Sequence, residues 1–273
     1  MTIELSIYQV DAFTDQAFGG NPAAVVPLPE WLPDALLQQI GAENNLSETA
    51  FLVPVGDRAG DRYELRWFTP RLEVDLCGHA TLASAQVVFE MLHPGRRSVS
   101  FVTRKAGTLT VAIQGDRLAM DFPARPAERV TPPPGLVEAL GATPTEVWAA
   151  GKLLCVFDTE GAVKALEPDF RKVAALDCFG VIATAPGNDG VDFVSRYFAP
   201  HAGIDEDPVT GSAHCTLVLY WSRRLGKSRL EARQISARGG RLWCEDRGDR
   251  VALAGRAVLY LEGRIFVPSP TGE

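Results

Sequence analysis

One pattern occurs twice in this chain, and that repetition limits its fold more than any single motif does. The first copy runs Arg66-Trp67-Phe68-Thr69-Pro70 and then Asp75-Leu76-Cys77-Gly78-His79-Ala80-Thr81. The second runs Arg196-Tyr197-Phe198-Ala199-Pro200 and then Asp207-Pro208-Val209-Thr210-Gly211-Ser212-Ala213. The copies stand 130 residues apart at the arginines and 133 apart at the glycines, so the second loop is three residues longer. Further on, Lys105-Ala106-Gly107-Thr108-Leu109 resembles Arg238-Gly239-Gly240-Arg241-Leu242 at the same offset of 133. Spaced matches at one offset mark a duplicated unit rather than chance. Each copy reads as a strand ending in Arg-aromatic-Phe, a loop, and a Gly-small turn that opens an apolar helix.

Local patterning fills in the two halves. Ile3 to Val10 alternates as a strand does. Phe18-Gly19-Gly20-Asn21-Pro22 is turn chemistry, and Ala23 to Val26 is a second strand. Leu36, Leu37 and Ile40 have helical spacing with Gly41 as a stop. Asn44 to Ser47 is a polar loop that runs into an apolar strand ending near Val53, and Tyr63 to Phe68 alternates again. Gly78 to Leu92 is apolar nearly all round, through Ala80, Leu82, Ala83, Ala85, Val87, Val88 and Phe89. Such a helix is buried on every side, which calls for a sheet wrapped about it. Short strands follow near Val99, Thr108 and Arg117, and the proline-rich stretch Pro123 to Pro134 reads as a linker. The second half repeats the scheme, with helices near Leu136 to Leu140, Phe170 to Ala174 and Gly211 to Arg223. The expected fold class is α+β, with two pseudo-symmetric lobes, each a mixed sheet curled around one buried central helix. The expected boundaries are 1–122 for the first lobe and 123–262 for the second, with a tail of about 263–273 returning to the first.

Charge and composition exclude several functions. A net charge of −7 does not suit general nucleic-acid binding, which wants a basic face. No apolar run reaches the ~18 residues of a membrane span, and the start of the chain lacks a signal-peptide pattern. The expected location is therefore cytoplasmic, with neither nucleic acid nor membrane as partner. Five cysteines and four histidines are scattered without CxxC or other metal-ligand spacing, so neither a disulfide framework nor a metal site is expected. There is no dinucleotide-binding glycine fingerprint, no phosphate-binding loop and no nucleophile elbow.

What remains as chemistry sits at the helix starts. A helix N-terminus presents unpaired N–H groups and partial positive charge, which bind carboxylates and stabilise developing oxyanions. Gly78 and Gly211 would let a substrate approach that backbone, or they are merely tight turns. If a two-fold relates the lobes, both helix starts face one cleft suited to a small anionic substrate. Glu48, between Leu46 and Phe51, is either a general acid/base whose pKa is raised by apolar surroundings or an ordinary loop carboxylate. Asp207 reads as a second acid/base or as a capping acid. His79 and Ser212, each following its glycine, are substrate-binding or structural. Cys77 precedes the first helix, where the dipole would lower its pKa; the alternative is a small buried residue. Its counterpart is Thr210, so a two-thiol mechanism finds no support.

Taken together, Asn45-Leu46-Ser47-Glu48-Thr49-Ala50-Phe51, the Cys77-Gly78-His79 segment, the Asp207 to Ala213 segment and Phe18 to Ala23 resemble the PhzF-like phenazine-biosynthesis family over nearly the whole chain. The resemblance implies the diaminopimelate-epimerase fold and an isomerase that needs no metal or organic cofactor. The family's type reaction is the isomerisation of trans-2,3-dihydro-3-hydroxyanthranilate. By that likeness the catalytic carboxylate is Glu48, supported by His79, Asp207 and Ser212, with substrate bound at Gly78, Gly211, Cys77 and Thr210. It also implies a homodimer. Two alternatives stay open: an amino-acid racemase or epimerase using Cys77 with Asp207, and a non-catalytic small-ligand or partner-binding protein on the same fold.

Overall fold

Residues 2–56 and 61–269 are described by the structure, a computed structural model. Met1 and residues 57–60, within the expected first lobe, and residues 270–273, within the expected tail, lie outside them. The chain divides into two units, one of the residues up to Asp121 together with those from Ala254 onward, the other Phe122–Leu253.

The first unit is built from β1 (Thr2–Ala12), β2 (Asn21–Pro27), α1 (Asp34–Asn44), β3 (Glu48–Pro54), β4 (Arg62–Phe68), β5 (Glu73–Val74), α2 (Gly78–Val87), β6 (Ser98–Thr103) and β7 (Thr108–Gln114), with β8 (Arg117–Pro123) leading out of it. Strand β1 is antiparallel to β2, β2 parallel to β3, β3 antiparallel to β4, β4 parallel to β6, and β6 antiparallel to β7. The second unit follows with β9 (Glu128–Arg129), α3 (Leu136–Leu140), β10 (Glu146–Ala149), β11 (Leu153–Val156), α4 (Glu160–Lys164), α5 (Phe170–Ala174), β12 (Val181–Pro186), β13 (Phe193–Ala199), β14 (Ile204–Glu206), α6 (Gly211–Leu225), β15 (Arg229–Gln234), β16 (Gly240–Asp246) and β17 (Arg250–Gly255). Its pairing from β10 through β11, β12, β13 and β15 to β16 runs antiparallel, parallel, antiparallel, parallel, antiparallel. That is the order of senses found in the first unit, so the repeat in the sequence is a repeat of sheet topology. A last strand, β18 (Ala257–Pro268), pairs antiparallel along β1.

Each unit buries one helix. Every residue of α2 from His79 to Ala85 is buried, as is Val87, and the helix packs on β1, β2, β3 and β18. In α6 the run Ala213–Leu219 and Trp221 are buried against β15 and β16. Small residues on α2 let the strands close around it, which is why its apolar positions are not confined to one stripe. On the outer face of the first sheet, α1 covers Val26, Phe51 and Phe68 with Leu37 and Ile40. In the second unit, α3, α4 and α5 supply Leu136, Leu140, Val163 and Val173 to cover Val181, Ala183 and Phe198.

The twice-used arginine motif fastens each strand to the loop that leads into its central helix. Arg66 donates from Nε and Nη2 to the two carboxylate oxygens of Glu73 in β5, both at 2.8 Å. Arg196 makes the same two bonds to Glu206 in β14, again both at 2.8 Å. Each guanidinium lies 5.0 Å from the ring centroid of the following phenylalanine, Phe68 or Phe198. A planar fork that bonds two oxygens at once fixes direction as well as distance.

Some elements differ from the sequence reading. The first central helix is α-helical only to Val87; Val88–Leu92 winds into one wider π turn, closed by His93 N–H donating to the Val88 carbonyl at 2.8 Å. The proline-rich stretch is not simply slack, since Glu128 and Arg129 pair with Ala149 and Trp148. Helix α4 escaped notice; the Thr159 hydroxyl caps it by accepting from Ala162 N–H. Strand β18 begins ahead of the expected tail and runs unbroken into it.

Candidate active site

Local backbone chemistry places the residues of the first unit. Helix α1 ends at Asn45 in the left-handed conformation, φ 50°, with its N–H bonded to the Gly41 carbonyl. Asn44 donates to the Thr49 hydroxyl at 3.1 Å, tying the helix end to the start of β3. Glu48 is the first residue of that strand and pairs in register with Ala23 of β2. The turn into β2 requires Gly20: its φ is +61°, and a Cβ there would stand 2.1 Å from the Ala12 carbonyl oxygen. Asn21, fully buried, follows it.

Glu48, Cys77 and His79 come together beside the start of α2. The His79 Nε2 lies 3.1 Å from a Glu48 carboxylate oxygen, with the Glu48 side chain 13% exposed and that of His79 5%. The contact is short, but the oxygen is off the line of a hydrogen bond. On the other side of the ring, Nδ1 faces the Asn21 side-chain amide at 3.1 Å and the Cys77 sulfur at 3.5 Å. Burial opposes a charge on His79, but the Cys77 sulfur and the Glu48 carboxylate outweigh it, and the imidazole titrates well above its ordinary range. Of the two readings of Cys77, the one as a small buried residue agrees with its exposure of 6%. Burial and the Glu48 carboxylate push its thiol up to about 11 despite the helix start and His79. At neutral pH the sulfur therefore keeps its proton, so its pull on the ring is not exerted there and the Glu48 carboxylate is the remaining group that favours a charged His79.

No side chain caps α2 or α6, so their first N–H groups are not occupied by the usual Ser, Thr or Asp oxygen. At α6 the candidate cap is engaged elsewhere: the Thr210 hydroxyl donates to the Asp207 carboxylate. Gln234, fully buried, holds this corner; its amide accepts from Thr210 N–H at 2.8 Å and donates to the Asp207 carbonyl at 2.7 Å. Gly211 opens the helix, and Ser212 accepts a hydrogen bond from Lys152 Nζ at 3.0 Å. Thus the structure gathers Glu48, Cys77, Gly78 and His79 in the first unit, and Asp207, Thr210, Gly211 and Ser212 in the second.

The sequence reading missed three residues. Asn21 was visible only as part of a turn, although its place between two glycines and a proline was a signal. Gln234, the last residue of β15, and Lys152, just ahead of β11, carried no signal, because nothing in the local pattern sets either apart from other polar residues beside a strand. As donors, the Glu48, Cys77 and His79 atoms lie within 4.8 Å of one another and are of the types that ligate zinc. Both nitrogens of the ring, however, already face protein groups. An open groove of about 670 Å³ in the first unit, lined by Arg96, Arg97 and Arg256 among others, shares no residue with this trio.

Comparison with known proteins agrees with the likeness read from the motifs. Residues 10–263 match the model of the PhzC-PhzF family, described as phenazine biosynthesis-like proteins. The chain is 54% identical to an uncharacterized isomerase of Pseudomonas aeruginosa, over 97% of this chain and 100% of that one. Its fold is similar to that of a PhzF-family phenazine biosynthesis protein from Enterococcus faecalis, with a TM-score of 0.91 at 45% identity over 96% of this chain and 99% of that one. A hydroxyproline epimerase from Agrobacterium vitis, 12% identical with a TM-score of 0.60 over 98% of this chain and 94% of that one, shares the fold alone. The chain therefore belongs to the PhzC-PhzF phenazine biosynthesis-like family and has its two-lobed, epimerase-like α+β fold.

Proposed function

We propose that the protein is a cofactor-independent isomerase in which Glu48 moves a proton on a small, carboxylate-bearing substrate. The observation that carries this reading is the Glu48–His79 pair: a carboxylate with a small solvent-facing fraction, set 3.1 Å from a buried imidazole. A general base needs access to the substrate on one side and a fixed neighbour on the other. Glu48 has both, because the ring of His79 is held from behind by Asn21 and Cys77. In the step proposed, the carboxylate takes a proton from one carbon of the substrate and returns it to another. The double bond shifts between them, and no electron leaves the substrate. The His79 imidazolium offsets the charge of the carboxylate and orients it, while uncapped N–H groups at the helix start would take developing negative charge.

The trans-2,3-dihydro-3-hydroxyanthranilate isomerisation is the substrate reading that follows from the family, and supporting roles for Asp207 and Ser212 follow from the same likeness. Homodimeric assembly and a cytoplasmic location belong to the reading as well. The racemase alternative needs a Cys77 thiolate, and a buried thiol with a pKa of about 11 does not favour it. Steady-state turnover of that dihydroanthranilate tests the proposal. Glu48→Gln should lose roughly a hundredfold or more in kcat, with an unchanged circular dichroism spectrum and no effect of EDTA on the wild type. Near-normal turnover by the variant would refute it.

A further inference from the structure

The repeated topology lets positions in the two units be matched, and the match is most informative where the chemistry differs. In the first unit Ala24 pairs with Thr49, which pairs with Phe68. In the second, Leu153 pairs with Val181, which pairs with Phe198. One step earlier the first unit has Ala23 paired with Glu48, and in the second the residues just ahead of the paired strands are Lys152 and Gly180, with Leu153 N–H donating to the Gly180 carbonyl at 3.0 Å. The second unit thus has no side chain at the Glu48 position, and the neighbouring strand supplies a lysine. The helix starts correspond likewise: Glu48 reaches His79 in α2, and Lys152 reaches Ser212 in α6. One unit presents a carboxylate beside its helix start; the other presents an ammonium.

Lys152 is placed as a ligand-facing cation would be. Its ammonium lies 5.7 Å from the ring centroid of Tyr197 and 5.9 Å from that of Phe179, which is 59% exposed. Among the described residues no carboxylate comes within ion-pair distance of it. Burial, with Arg125 nearby, lowers its pKa to about 8 against the opposite pull of Cys215 and Asp207, which leaves it mostly charged at neutral pH. The hydroxyl of Tyr197, a residue only 4% exposed, is buried beside this group without a hydrogen-bond partner. It fits there because residue 180 is glycine, where a Cβ would stand 2.5 Å from the oxygen. A half-buried ammonium that makes no ion pair, beside a buried donor without an acceptor, is completed by an anion that also accepts hydrogen bonds.

We infer that Lys152, with the Ser212 hydroxyl and the α6 start, binds the carboxylate of a planar, unsaturated acid, the rings of Phe179 and Tyr197 flanking it. A monoanion suits one ammonium, and the aromatic surround suits a flat ligand. This rests on the isomerase reading for the identity of the ligand as substrate, but the binding itself is independent of turnover.

Calorimetric titration of the full-length protein with benzoate, benzamide and inorganic phosphate tests it. Benzoate should saturate the wild type and bind more tightly than its neutral isostere and than phosphate. Lys152→Met and Lys152→Gln, each first shown to be folded by circular dichroism, should weaken benzoate by roughly ten- to a hundredfold, the loss of one charge-assisted bond. In protein carrying ¹³C-methyl groups on its lysines, the resonance that Lys152→Met removes should shift on adding benzoate. The inference is overturned if benzoate fails to saturate the wild type, if benzamide or phosphate binds as well, if both variants bind benzoate normally, or if that resonance stays still. Failure of the isomerase reading looks different: Glu48→Gln keeps normal turnover while benzoate binding still depends on Lys152.

Discussion

Replacing Arg66 by Met removes a guanidinium whose side chain is only 2% exposed, and the structure gives the cost and its pH dependence. Three bonds are lost, two to Glu73 at 2.8 Å and one to Asp34 at 2.9 Å. The Glu73 side chain is 28% exposed and that of Asp34 65%, so the second partner rehydrates freely and adds little. Methionine keeps apolar contact near Trp31 and Phe68, and the two bonds to Glu73 dominate. With charged hydrogen bonds at about 1.5 kcal/mol or more each, the expected loss at pH 7 is about 3 kcal/mol. Hydrogen bonding to Arg66 is the largest influence on both carboxyls and holds them below their usual range, against some desolvation. Folded-state pKa values below the unfolded ones give stability that is present above the unfolded values, near pH 4, and lost as pH falls through the folded ones. The gap between wild type and variant should therefore shrink at acid pH. Urea unfolding at pH 7 and about pH 3.5, followed by intrinsic tryptophan fluorescence, measures both. A gap under about 1 kcal/mol at pH 7, or one that is the same at both pH values, would refute the reasoning.

Two further outcomes follow from the site. Cys77→Ala should retain turnover within a few-fold, and iodoacetamide at pH 7.5 should leave Cys77 of the native wild type unmodified, because the thiol is buried and titrates near 11; rapid alkylation with loss of activity would restore the racemase alternative. His214, wholly buried with Nδ1–H donating to the Thr210 carbonyl at 2.8 Å, has its pKa lowered by burial to about 4. Its neutral form is the folded form, so its contribution is complete above its unfolded pKa near 6.5 and is lost as pH falls toward 4. Stability of His214→Gln should vary less than that of wild type across that window, and equal slopes would contradict this.

The sequence made the fold unusually legible because the fold is used twice. Arg66 and Arg196 stand out as letters because each is followed by an aromatic residue, a phenylalanine and a proline at the same spacing, while their partners Glu73 and Glu206 emerge only from the structure. The burial of α2 was visible because its small and apolar residues leave no polar stripe. The start of β3 at Glu48 was visible because asparagines end one element and apolar residues begin another. What stayed hidden depends on contacts between residues distant in sequence. Lys152 lies 60 residues from the Ser212 hydroxyl that it bonds, and Gln234 lies 24 from the Thr210 amide. The two readings of Cys77 could not be separated in the sequence for a related reason. A helix start can be read from the sequence, but the burial that overrides its dipole arises from β-strands folded around the helix.

The most direct test of the central claim is deuterium uptake. Wild type and Glu48→Gln would be incubated with trans-2,3-dihydro-3-hydroxyanthranilate in deuterated water and followed by NMR. Deuterium entering at carbon with the wild type and absent with the variant is the predicted result, with Glu48 as the group that carries the proton. Equal uptake with both proteins would contradict it and assign the proton transfer to another residue.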